Sequence, residues 1–133
     1  MKEILGRLFP RKPAPLRGAP AVRRQKTYSA RTGYVYQYYY DGYRPSPDGR
    51  EYVFTVSSDR RGSFPVAVLV PSAAVEAWRH KHGRELNAAE QYAAVKMSLF
   101  RTFDERTDLG PGQAEVRLDA EAVEAALAEL EIE

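Results

Sequence analysis

Cysteine is absent from the 133 residues. That excludes a disulfide framework and every thiolate metal site, so the fold must be held by its core alone. No apolar run approaches the roughly 20 residues needed to cross a bilayer. The first twelve residues also lack the apolar segment of a secretory signal. Together these absences lead to the expectation of a cytoplasmic chain with no membrane span. Histidine is scarce too: His80 and His82 are the whole supply. A pair at i, i+2 splays apart on a helix, and Arg79 and Lys81 beside it oppose cation binding, so no metal is expected. The pair reads as a helix C-terminus, where positive charge suits the dipole.

Catalytic templates are missing as well. Gly110-Pro111-Gly112 has no helix-start lysine to cradle a phosphate. Ser57-Ser58-Asp59 has no histidine near it in sequence. Asp104 and Asp108, at i, i+4, share a helix face, but Arg101 and Arg106 are equally close and plain surface ion pairing is the simpler account. Arg60-Arg61-Gly62-Ser63 reads as a surface turn before it reads as an anion nest. No internal repeat is present. No cofactor is expected, and the chain is expected to be non-enzymatic.

The composition, 44% hydrophobic and 29% charged, is that of an ordinary globular domain. A chain of this length buries about two thirds of its unfolded surface. The formal net charge of +2 conceals a polar arrangement. Residues 1–31 carry nine Lys and Arg against Glu3 alone, a net +8, whereas residues 115–133 carry seven acids against Arg117, a net −6. Such asymmetry points to a polyanion contact or to self-association.

Within the basic end, Pro10, Pro13, Pro15 and Pro20 prevent a helix. The division expected is an arm over 1–26, disordered or ordered on a partner, and one domain over 27–133. Ahead of the prolines, Ile4, Leu5, Leu8 and Phe9 share one face of a two-turn helix that Pro10 would end. The arm's cations, Arg11, Lys12, Arg17, Arg23, Arg24 and Lys26, are the first candidates for binding nucleic acid or a partner.

The second candidate is the tyrosine run. Along a strand, Tyr34, Tyr36, Tyr38 and Tyr40 project from one side. Four rings on one face serve as a stacking platform for bases or as the inner wall of a core, with a mixture of both as the third outcome.

The periodicity predicts strands over 27–44, 50–58 and 64–70, the first broken at Arg31-Thr32-Gly33 or bulged at Asp41-Gly42, with a turn at Pro47-Asp48-Gly49. Helices follow over 72–82, capped by Ser72 and ended by Gly83, and over 87–106, opened by an Asn87/Glu90 capping box. A last helix is capped by Asp119. The expected architecture is α+β, in the order βββααβα. A three-stranded antiparallel meander is packed by two to three helices, with residues 114–118 as a fourth short strand. The function expected is that of an accessory or adaptor module touching RNA, DNA or a nucleoprotein complex. The alternative is a protein–protein subunit or homo-oligomer without nucleic acid, and a third reading is a small enzyme whose carboxylates and histidines meet only in the fold.

Overall fold

The computed structural model describes residues 14–58, 62–106, 109–110 and 115–133. The expected helix at Ile4–Phe9, and the turn residues Asp59, Arg60 and Arg61, lie outside these. Five strands, β1 (Lys26–Ser29), β2 (Val35–Ser46), β3 (Gly49–Ser58), β4 (Phe64–Pro71) and β5 (Glu115–Arg117), form one sheet in the order β1-β2-β3-β4-β5. Three helices, α1 (Ser72–His82), α2 (Ala88–Glu105) and α3 (Ala120–Glu129), complete the α+β architecture in the order ββββααβα.

Two differences turn the expected three-stranded meander into a five-stranded mixed sheet. The first long strand breaks into a hairpin at Arg31-Thr32-Gly33, where Gly33 takes φ 96° and donates to the Ala30 carbonyl at 3.0 Å. A side chain disfavours that backbone region, so glycine is what lets the chain reverse there. The second difference lies in the place of the expected short strand: it forms as β5 and extends the sheet, joining β4 in parallel after α1 and α2 have carried the chain back over it. A parallel neighbour requires such a crossover, and helices supply it.

The alternation read from the strands sets the packing. Tyr36, Tyr38, Tyr52, Phe54, Val56, Phe64, Val66 and Val68 are buried together with Trp78, Val95, Leu99, Phe103 and Leu127 from the helices. Pro47-Asp48 closes the β2–β3 turn, with Ser46 opposite Gly49. The Asn87/Glu90 capping box is formed in both directions, at 2.8 and 3.0 Å, and Asp119 accepts from the Ala122 amide at 2.8 Å. Arg84 and the Asn87 amide together hold the Glu90 carboxyl down at about 2.

Ser72 does not cap α1. The strand β4 runs through Pro71 straight into the helix, so Pro71 occupies the cap position. The Ser72 amide is already taken by the Asp48 carbonyl at 2.8 Å.

Candidate nucleic-acid interface

The described part of the arm lies against its own domain. Strand β1 covers only 35–38 of β2, leaving open the edge beyond Tyr38. An uncovered strand edge presents unpaired donors and acceptors. Arg17 fills part of that gap: it donates to the Tyr43 carbonyl at 2.7 Å and accepts from the Tyr43 amide at 2.8 Å. The pairing is antiparallel, and it depends on the bulge between Tyr40 and Gly42. Gly42 has φ 128°, and a Cβ there would stand 2.6 Å from the Arg17 carbonyl oxygen. Among residues 14–25, the backbone of Arg17 thus satisfies part of the sheet edge at Tyr43.

The arm's cations divide into two sets. Arg23 is neutralised by Asp41 at 3.0 Å and lies over the Tyr39 ring, 4.1 Å from its centroid. Asp41 also accepts from the Thr55 hydroxyl. Arg17, Arg24 and Lys26 project from exposed positions and make no ion pair among the described residues. Arg11 and Lys12 lie outside the described residues. Elsewhere Arg44 pairs with Glu51, Arg79 with Glu76, Lys81 with Glu124, Arg84 with Glu90 and Arg117 with Asp48.

The tyrosine run realises the mixed outcome. Tyr36 and Tyr38 are 2% and 4% exposed, respectively, and pack beneath α2. Tyr36 stacks on Phe103 with centroids 4.2 Å apart, and Tyr38 meets Phe100 edge-on at 5.9 Å. Tyr40 is half-buried against Phe54 and Tyr92, and burial pushes its phenol well up. Tyr34 keeps 38% of its surface. A base could therefore reach Tyr34, whereas Tyr36 and Tyr38 are core residues rather than a platform. The hydrophobic demand of the helix α2 decides this, because its Phe100 and Phe103 need an aromatic surface beneath them.

One residue of the region escaped the sequence reading. Lys96 sits on α2 with its ammonium 5.3 Å from the Tyr38 centroid, 5.7 Å from Tyr92 and 5.4 Å from Phe100. The signal was available: Lys96 stands four residues after Tyr92 and four before Phe100, and i, i+4 positions share a helix face. Burial lowers its pKa, and the charge and contact of Lys26 lower it further. Lys26 pairs with Tyr38 across β1 and β2, and cross-strand partners share a face, so both lysines flank that ring.

The other constellations are occupied structurally. Asp104 accepts from the Arg31 amide at 2.8 Å and from the Tyr28 hydroxyl at 2.7 Å. Those two bonds, the Arg31 amide first, hold its carboxyl below the usual range, and the Asp104 bond raises the Tyr28 phenol. Asp108 lies outside the described residues. His82 stacks on Trp78 at 4.2 Å and its Nε2 meets both oxygens of Glu124, at 2.8 and 3.0 Å. Burial works to raise the Glu124 carboxyl, but bonds from His82 and Lys81 outweigh it and leave it lowered. Among the described residues no three His, Cys, Asp or Glu side chains group as for a metal. A cleft of about 640 Å³ runs along the C-terminal half of α2, and cations and acids of equal number line it: Arg31, Arg101 and Arg117 with Asp104, Glu105 and Glu129.

Comparison with known proteins returns no match: no protein family, curated protein or solved structure matches the chain. Among the described residues no helix is long and apolar enough to cross a membrane.

Proposed function

We propose that this chain is a non-enzymatic accessory module that binds nucleic acid, or a nucleoprotein assembly, along the edge formed by residues 14–26 and β1. The observation that supports it is the concentration of charge there: Arg17, Arg24 and Lys26 stand exposed along one edge and make no ion pair among the described residues. Arg11 and Lys12 precede them in sequence and extend the same positive run. A row of exposed cations on a backbone held in place suits a phosphate chain, since phosphate contacts give affinity without reading sequence. Tyr34 is the ring offered for stacking beside it.

A non-enzymatic reading also fits the shifted groups of the cleft. A general acid or base works best with a pKa near the operating pH. Asp104 is held lower and Tyr28 higher than their ordinary values, so each moves away from neutrality.

The test is fluorescence anisotropy of full-length protein with labelled single-stranded RNA and duplex DNA over a salt series. Three to five phosphate contacts predict log K falling by about 2–3.5 per log unit of salt on a single strand. Affinity should be nearly independent of base sequence. No binding to either probe at low salt refutes the proposal.

The spatial arrangement of charge favours one second reading. The strands β1 and β5 lie at opposite edges of the sheet, so the basic and acidic ends of the chain are separated by four strand spacings, about 19 Å. A protein with one basic and one acidic edge can associate head to tail. Sedimentation velocity in low and high salt checks this: a larger species at low salt, dissolving at high salt, is its expected result.

A further inference from the structure

Two lysines converge on one ring. Lys26 and Lys96 arrive from different elements, β1 and α2: Lys26 lies across the strand pair from Tyr38, and the Lys96 ammonium stands 5.3 Å from the Tyr38 centroid. Neither makes an ion pair among the described residues. Asp104 and Asp41 are engaged elsewhere, Asp104 with Tyr28 and Arg31, and Asp41 with Arg23 and Thr55. The wall around Lys96 is aromatic on three sides, formed by Tyr38, Tyr92 and Phe100. Rings attract a cation, yet they also strip it of water and leave its charge uncompensated.

We propose that Lys26 and Lys96 form a single-phosphate site, the fixed anchor of the polyanion-binding edge described above. This rests on that reading and names its anchoring point. A phosphate fits the pair because its charge is spread over non-bridging oxygens that accept from two separate ammonium donors at once. Lysine serves here as a compact point charge, with no planar partner required. One charge of the phosphate offsets the repulsion between the two lysines. Arg24 and Arg17, further along the same edge, then meet successive phosphates of a chain. A free phosphate ion and a nucleic-acid phosphodiester share this chemistry.

Five proteins separate the outcomes: wild type, Lys96→Met, Lys96→Arg, Lys26→Gln and, as control, Lys81→Gln on α1, where Lys81 pairs with Glu124. Methionine keeps the unbranched stem of Lys96 against the rings, so the packing survives; thermal melting verifies it, and Lys96→Arg supplies a charge-retaining second variant. Each is measured in two ways: titration with inorganic phosphate, read from the lysine Nζ resonances by NMR, and anisotropy with labelled single-stranded RNA from 50 to 200 mM salt. Wild type should show phosphate-dependent shifts at Lys26 and Lys96 together and not at Lys81. In Lys96→Met or Lys26→Gln the salt slope should fall by about 0.7, so that affinity declines about threefold less over that range. Lys96→Arg should retain the wild-type slope. RNA binding with an unchanged slope in both variants, and no Nζ shift with phosphate, overturns the site and leaves the polyanion reading standing. Phosphate shifts without RNA binding support the site and remove the polyanion reading. Absence of both overturns both.

Discussion

Phe103→Ala is the perturbation that most directly tests whether the tyrosine face is core. Phe103 is fully buried and stacks on Tyr36 at 4.2 Å, with Tyr28 and Tyr38 at 5.8 and 6.1 Å. Truncating a buried phenylalanine to alanine costs about 3–5 kcal/mol in transfer and cavity terms. Loss of aromatic pairing, about 0.5–1.5 kcal/mol per pair, places this position at the upper half of that span. Against a total stability of about 5–15 kcal/mol the loss is a large fraction. The melting temperature should fall by about 10–20 °C, from the usual change per kcal/mol at this chain length. Urea unfolding gives the free energy, and near-UV circular dichroism follows the tyrosines. A loss below about 1 kcal/mol, the level of an average substitution, would refute the reasoning. Tyr36 and Tyr38 would then not be packed under α2, and the whole face would return as a stacking surface.

Gly42→Ala should loosen the arm before it damages the sheet. The new methyl would meet the Arg17 carbonyl in a backbone region that side chains rarely adopt. Amide exchange at Arg17 and Tyr43 should accelerate while Phe54 in β3 keeps its protection; unchanged exchange at both would contradict the pairing. Asp104→Asn should give a pH-dependent defect. The folded carboxyl lies below its unfolded value of about 3.9. Its stabilisation is therefore complete above that value and is lost as pH falls through the lower folded one. The gap between wild type and variant in urea midpoint should be open at pH 7 and narrow as pH falls below the unfolded value, and a gap that widens on acidification would reverse the assignment.

What the sequence by itself determined was mostly local. The capping box at Asn87/Glu90, the Asp119 cap, the Pro47-Asp48 turn and the inward set of Tyr52, Phe54 and Val56 all follow from chemistry within a few residues of one another. Composition and alternation also sufficed for the α+β class. The Asn87 side chain needs only its own helix to find a partner, and strand alternation needs only the pleat.

Tertiary structure decided the rest, because each remaining outcome depends on what lies opposite. The break at Gly33 was visible, but whether it bent one strand or made two depended on β2 having an edge to offer β1. Ser72 lost its capping role because β4 runs through Pro71 into the helix and leaves Pro71 at the cap position. The arm reads as unstructured by its prolines, yet Arg17 pairs with Tyr43 because a bulge brings a glycine to the edge. Four tyrosines on one strand face are equivalent in sequence. The finite reach of α2 makes Tyr36 and Tyr38 core, leaves Tyr40 half-covered and exposes Tyr34. Lys26 and Lys96 are seventy residues apart, and no local rule joins them: a strand pairing and a helix laid across it bring both to the Tyr38 ring.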